Sequence, residues 1–379
     1  MRIGLITGEY PPMRGGVGDF TALLAEGLLA LSHTVDVFSI PPAQSQHGEI
    51  VRTTIRRWNF RSLPTVQRWA KANALDVLNL QYQTAAYRMS PWIHVLPRWV
   101  KAAPIITTFH DLRFPYLFPK AGLLRERIVM SLARHSAGVI TTNHEDYASV
   151  QHLPHSTMIP IGSTIHADLP SRFDPQAWRA KLGVPLETLL LGYFGFVNHT
   201  KGVDTLMESF AALRADYPVK LLMIGEQLGT SDPTNASYAA QIKRLIQDYN
   251  LTDDILWSGP VSDVDVNGWL RTVDVVVMPF RDGASYRRSS LMAAIQQGCA
   301  IVTTQPAVPI PTFHHSENIW LVAPNDAAAL RQALQPLAAA RVRTRLQEGA
   351  RLLAHTFDPT VRVQTTLDFY AQVRQSWTR

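Results

Sequence analysis

PFRDGASYRRSSLMAAIQQGCAIVTT, residues 279–304, carries a polar loop, a helix and the start of a strand in one run. Before it, Val273 to Met278 is a β-branched apolar run, short enough for a buried parallel strand. A polar loop follows, and Ser289 and Ser290 offer a helix cap. Leu291, Ala294 and Ile295 recur at helical spacing, Gly298 reads as the stop, and Ile301 and Val302 begin the next strand. Strand, loop, helix, strand puts the loop at a strand's carboxyl end, where open α/β sheets bind ligands. Backbone N–H groups near Arg288, Ser289 and Ser290 would point into it with the helix dipole behind them. Arg281, Arg287 and Arg288 add positive charge. A phosphate or diphosphate suits such a loop; an ordinary capped helix with solvated arginines is the other reading.

Outward from there, the same alternation fills the chain. Strands are predicted at Ile3 to Thr7, Val35 to Ser39, Val77 to Gln81, Ile105 to Phe109 and Gly138 to Thr142, with 158–162 closing the first half. A second series runs Leu189 to Phe194, Val219 to Ile224, Ile255 to Ser258, Val273 to Met278, Ile301 to Thr303 and Trp320 to Val322. Two such runs predict an α/β protein of two Rossmann-like, doubly wound domains facing a cleft. The expected boundaries are 1–168, a Pro-punctuated linker at 169–186, a second domain at 187–355 and a final helix at 356–379.

Three further loops stand at strand ends. Residues 8–19 are rich in glycine, including Gly15 and Gly16, yet fit neither a dinucleotide G-x-G-x-x-G nor a Walker loop. His110 and Asp111 close the Ile105 strand; a histidine there suits a ligand site, though a lone histidine is more often a packed or surface residue. Lys201 lies between a strand and a helix, where lysine can neutralise a phosphate or be simply solvated.

Composition bounds the rest. With 379 residues, 46% hydrophobic and 17% charged, the chain reads as globular, with two domains expected. The start reads as a strand rather than a signal peptide, and no run of about 18 apolar residues appears. A cytoplasmic protein is expected, peripheral at the inner face of the membrane. The single cysteine, Cys299, excludes an internal disulfide and looks like core. The net charge of +6 is uneven: from Val51 to His135, fourteen Lys or Arg face three acids. Trp58, Trp69, Trp92 and Trp99 share that region. Basic charge with interfacial aromatics points to a membrane surface or a polyanionic substrate, a solvated arginine-rich face being the plainer reading. No nucleic-acid-binding motif accompanies the charge.

Taken together the loops resemble glycosyltransferase family 4 of the GT-B fold, over nearly the whole chain. Residues 8–18 resemble its first glycine-rich loop, and Ile159-Pro160-Ile161-Gly162 its Ile-Pro-Asn-Gly turn. Lys201-Gly202-Val203-Asp204 matches its Lys-Gly-Val-Asp, Ile224-Gly225-Glu226 resembles its Val-Gly-Asp-Gly, and residues 317–322 parallel its Glu-Asn-Gly-Leu-Leu-Val. The resemblance implies retaining, metal-independent transfer of a sugar from a nucleotide-diphosphate donor, with no cofactor, and a last helix crossing back onto the N-terminal domain. It implies that Gly16, Lys201, Arg287, Arg288, Ser289 and Ser290 bind the donor diphosphate. Gly15, Gly195, Gly225, Glu226 and Ser285 would line the nucleotide and sugar. His110 and Asp282 are the implied catalytic groups. A lipid-linked or envelope-polysaccharide acceptor fits the basic, tryptophan-bearing first half.

Two departures stand out. The family's Glu-x7-Glu falls on Ser285 and Ala293 when counted back from Gly298, or on Asp282 for the first Glu when aligned on Asp282-Gly283. The arginine usual five residues before the lysine is Phe196, with Arg281, Arg287 and Arg288 as the candidates to replace that charge. The alternatives are an inactive nucleotide-sugar-binding relative and another nucleotide-sugar enzyme on this fold, such as an epimerase.

Overall fold

Short β-branched and leucine-rich runs cannot satisfy their backbone alone, so they pair as strands, and parallel pairing requires helical crossovers. A computed structural model of the chain describes residues 1–13, 15–112, 122–225 and 233–377. It divides into two units, Met1–Thr164 with Asp358–Arg379, and Ile165–Phe357.

In chain order the first unit holds β1 (Arg2–Thr7), α1 (Gly16–Ala30), β2 (Thr34–Phe38), β3 (Ile50–Arg52), α2 (Ser62–Ala72), β4 (Val77–Tyr82), α3 (Leu96–Trp99), β5 (Ile105–Phe109), α4 (Gly122–His135), β6 (Gly138–Thr141), α5 (His144–Val150) and β7 (Ser156–Met158). All neighbours pair in parallel in the order β3-β2-β1-β4-β5-β6-β7. The order reverses between β1 and β4, so their following loops flank the switch point. A Cβ on Gly8, just past β1, would lie 2.3 Å from the carbonyl oxygen of Ala86, so the two loops meet backbone to backbone.

The second unit holds α6 (Pro175–Lys181), β8 (Leu189–Phe194), α7 (Val203–Arg214), β9 (Val219–Ile224), α8 (Pro233–Asp248), β10 (Ile255–Trp257), α9 (Asp263–Thr272), β11 (Val275–Met278), α10 (Ser289–Gln296), β12 (Ile301–Thr304), β13 (Trp320–Val322), α11 (Ala327–Leu334) and α12 (Ala340–His355). Its parallel sheet runs β10-β9-β8-β11-β12-β13, with the switch point between β8 and β11. The two sheets make this an α/β protein of GT-B architecture.

Helix α13 (Pro359–Ser376) belongs to the first unit. A Cβ on Gly27 would meet Val363 at 2.5 Å, and one on Gly138 would meet Val373 at 2.7 Å, so two glycines let this helix seat closely. Tyr370 is fully buried there, and Arg374 reaches Asp76 at 2.8 Å. In the second unit, Trp178 of α6 stacks edge-on against Trp269 of α9, ring centroids 4.6 Å apart. Arg179 is buried, and its guanidinium donates to Asp274 and to the carbonyls of Pro185 and Thr188.

The structure corrects several expected bounds. The three-residue β3 sits at a sheet edge and is too short to show a period. Val273 and Asp274 precede β11: the Asp274 amide donates to the Leu190 carbonyl at 2.8 Å, but the Leu190 amide donates to the Asp274 carboxylate rather than to a backbone carbonyl. The first half closes on β7 at Met158, and residues 159–162 run beyond it. Trp58 and Trp69 are core residues packed on Phe38, not interfacial aromatics. Trp92 and Trp99 are exposed. Among the described residues, no helix is long and apolar enough to cross a membrane.

Candidate functional site

In the second unit the loops after β8 and β11 meet at the switch point. Their junction is backbone on backbone: the Arg281 amide donates to the Thr200 carbonyl at 3.0 Å. Gly202 adopts φ +65°, and a Cβ there would stand 2.0 Å from the Pro279 carbonyl oxygen. Only glycine supplies both the left-handed turn and the room. That turn ends a short 3-10 segment, His199–Lys201, and delivers Lys201 to the mouth of the β11 loop.

Lys201 Nζ lies 4.9 Å from the centroid of the Phe280 ring, and the Arg288 guanidinium lies 4.9 Å from the same centroid. A ring face attracts cations, so Phe280 is a platform for two of them. Arg288 also pairs with Asp282. Burial and the neighbouring Arg288 pull the Lys201 ammonium down to about 8, against the opposing pull of Asp282. The ammonium is thus held where its charge is poorly compensated, which favours an arriving anion.

Of the three arginines expected to supply charge, Arg281 has another task. It pairs with Asp204, donates to Asn325 Oδ1 at 3.1 Å, and shares Asp204 with the Tyr238 hydroxyl at 2.8 Å. It therefore ties the β11 loop to the start of α7.

Helix α10 begins at Ser289, but neither serine caps it with its side chain; Arg288 is the N-cap residue. The loop instead turns on Ser285, whose carbonyl accepts from the Arg288 amide at 3.0 Å and whose hydroxyl accepts from the Arg287 amide at 3.4 Å. Ser290 Oγ is buried and, among the described residues, unpartnered. Gly195, at φ +135°, lies beside it: a Cβ there would stand 3.7 Å from that hydroxyl. Gly225 follows β9, its amide donating to Ser258 Oγ at 2.9 Å. Glu226 lies outside the described residues. Lys201, Arg288, Asp282, Ser285, Ser290 and Gly195 all lie on the segments that follow the two central strands β8 and β11.

In the first unit His110 follows β5 and is buried. Its amide donates to the Tyr82 carbonyl at 3.0 Å, and its ring meets Phe20 edge-on at 5.0 Å. His110 Nε2 is 2.8 Å from Gln81 Oε1. Burial drives its value down to about 3, so the ring is neutral. Gly15 and Gly16 open α1, yet the end of that helix already has an anion. Glu9 Oε1 accepts from the amides of Val17 at 3.2 Å and Gly18 at 3.4 Å. A Cβ on Gly15 would collide with that carboxylate, while one on Gly16 meets nothing within 4 Å. Burial raises the Glu9 carboxyl. Cys299 is buried core, its thiol pushed up to about 12.

Phe280, Glu9 and Gln81 were not among the expected site residues. Phe280 has a weak signal, a lone aromatic beside a cationic loop. Gln81 and Asn79 have one too, as polar residues inside an apolar strand.

Known proteins place the chain. A family model described as glycosyl transferase 4-like domain matches residues 15–162, and one described as glycosyl transferases group 1 matches residues 188–340. A D-inositol 3-phosphate glycosyltransferase of Arthrobacter sp. (strain FB24) is 27% identical over 46% of this chain and 37% of its own length. The chain thus spans less than half of that curated relative in the match. A lipopolysaccharide core biosynthesis mannosyltransferase of Rhizobium leguminosarum bv. viciae is 27% identical over 60% of this chain and 62% of its own. In fold the chain is similar to HepE of Anabaena, crystallised in complex with UDP, at a TM-score of 0.77 and 17% identity over 98% of this chain and 100% of that one. With a family match on each unit and the GT-B architecture beneath both, the chain belongs to glycosyltransferase family 4.

Proposed function

We propose that this protein is a retaining, metal-independent glycosyltransferase that moves a sugar from a nucleotide-diphosphate sugar to an acceptor. The observation that carries this reading is the pair of cations, Lys201 and Arg288, over Phe280 beside the N-terminus of α10. A nucleoside diphosphate departs with growing negative charge, and fixed cations with oriented N–H groups lower that barrier. Lys201, Arg287, Arg288 and the amides of Ser289 and Ser290 are assigned to the diphosphate. The unpartnered Ser290 hydroxyl supports a polar guest there, since buried polar groups rarely lack partners. Gly195, Gly225, Glu226 and Ser285 are assigned to the nucleotide and sugar, with Gly15 and Gly16 on the acceptor side. His110 is assigned to the transferred sugar. Asp282 serves as counter-charge to Arg288 in place of the family's first glutamate. HepE, which binds UDP, supports a uridine donor.

The mannosyltransferase relative, named for lipopolysaccharide core biosynthesis, supports an envelope acceptor. Exposed Phe60, Trp92 and Trp99, with Arg61 over the Phe60 ring at 5.5 Å, support contact with a lipid surface. Charge reversal at Arg56 and Arg57 should then lower both vesicle binding and activity.

The test is a thermal-shift series with UDP, GDP, ADP and their sugar conjugates, with a chelator present. One nucleotide family should raise the melting temperature by mass action. The product linkage, read by NMR, should keep the donor's anomeric configuration. No shift with any nucleotide sinks the reading. A second reading, an inactive binding relative, is favoured by Ala293, buried where the family's second glutamate falls. It predicts a shift with no turnover.

A further inference from the structure

Four polar side chains form a chain through the sheet of the first unit. Parallel pairing of β4 with β5 sets Asn79 opposite Ile106 and Gln81 opposite Thr108. Thr108, Asn79, Gln81 and His110 are buried, so each hydrogen bond there must be accounted for. Asn79 Nδ2 donates to the Ile106 carbonyl at 3.1 Å and to Thr108 Oγ1 at 2.9 Å. The Ile106 carbonyl can only accept, so it fixes which end of the Asn79 amide carries nitrogen. Asn79 Oδ1 must then face Gln81 and accept from Gln81 Nε2. That turns Gln81 Oε1 toward His110 Nε2, 2.8 Å away, and an amide oxygen can only accept. The imidazole proton therefore sits on Nε2. Among the described residues Nδ1 has no hydrogen-bond partner.

We propose that Gln81 is a positioning residue: it holds His110 as the neutral tautomer protonated at Nε2, leaving Nδ1 to accept a hydrogen bond from a hydroxyl of the transferred sugar. The sugar contact rests on the function proposed above; the tautomer rests on the amide chain alone. A neutral histidine so held orients the sugar by accepting and brings no charge of its own. The edge-on Phe20 ring keeps the imidazole plane from turning.

The test is nitrogen NMR of the full chain with isotopically labelled histidine, His110 being assigned by its loss in His110→Asn. The expected spectrum has a protonated Nε2 and an unprotonated Nδ1. Gln81→Met, which keeps length and loses the acceptor, should blur that pattern and lower kcat by about tenfold while donor affinity holds. If Gln81→Met does not fold, the wild-type spectrum still decides the tautomer. A protonated Nδ1 in a chain that transfers sugar overturns the tautomer alone. Gln81→Met with an unchanged spectrum and unchanged kcat overturns the role of Gln81. The expected spectrum in a chain that turns over no donor overturns the sugar contact together with the proposed function.

Discussion

Lys201 and Arg288 stand over one aromatic ring, each with its charged group 4.9 Å from the centroid of Phe280. They come from opposite sides of the switch point, one after β8 and one after β11. Two cations repel, and their shared ring offsets only part of that repulsion. The second cation beside Lys201 is thus supplied by the loop after β11. Phe196, five residues before the lysine, is exposed.

Donor affinity should fall as pH rises through about 8, where Lys201 loses its proton. The sign follows from linkage. The folded value lies below the ordinary lysine value of about 10.4, so the native state binds fewer protons than the unfolded one between them. Stability of the ligand-free protein should rise across that interval while diphosphate binding weakens. Calorimetric titration of UDP from neutral to alkaline pH checks this, and Lys201→Arg should flatten the curve. A flat wild-type curve would remove Lys201 from the diphosphate.

Arg288 and Arg281 should separate cleanly. Arg288→Ala should weaken nucleotide binding by about tenfold to a hundredfold, the worth of a charge-assisted contact. Arg281→Ala strips Asp204 of its ion pair and should cost about 1–3 kcal/mol of stability, with a smaller effect on affinity. Urea unfolding beside nucleotide titration reads both; equal losses of affinity would mean that Arg281 also reaches the donor.

Gly202→Ala should lose donor binding and destabilise the second unit by about 2 kcal/mol or more, since it strains a left-handed turn and pushes against the Pro279 carbonyl. Retention of wild-type affinity would show that the turn can be rebuilt without moving Lys201.

Acid should destabilise the first unit through His110. Its value of about 3 lies far below the unfolded value of about 6.5, so the unfolded chain takes a proton that the folded one refuses. That stability is complete above about pH 6.5 and drains as pH falls toward 3, at about 1.4 kcal/mol per unit. His110→Gln should lose about 2 kcal/mol less than wild type on going from pH 7 to 5. Equal acid sensitivity in the two proteins would mean that the imidazole is solvated.

Glu9→Ala should cost about 1 kcal/mol, as for the loss of a helix N-cap, because the amides of Val17 and Gly18 lose their acceptor. Thermal melting measures it. An increase in stability would mean that burying the carboxylate outweighs its two hydrogen bonds.

The alternation of strands and helices is legible in the sequence, because buried parallel strands must be short, apolar and joined by amphipathic crossovers. The sequence also shows which loops end strands, and so puts Lys201, Arg288 and His110 in view. It left three arginines equivalent, since no local pattern tells Arg281, bound to Asp204 from far along the chain, from Arg288 beside Lys201. It suggested serine caps at Ser289 and Ser290, but the path of the loop through Ser285 gave the cap position to Arg288. Trp58 and Trp69 read as surface aromatics until packing on Phe38 put them inside. The link from Gln81 to His110 depends on the register of β4 against β5, and the carboxylate at the start of α1 depends on how the loop after β1 folds back. Periodicity is a local property, carried by each segment's own side chains. Partnership is not: which charge meets which, and which nitrogen keeps its proton, is fixed only when distant segments are brought into contact and every buried polar group must find a partner.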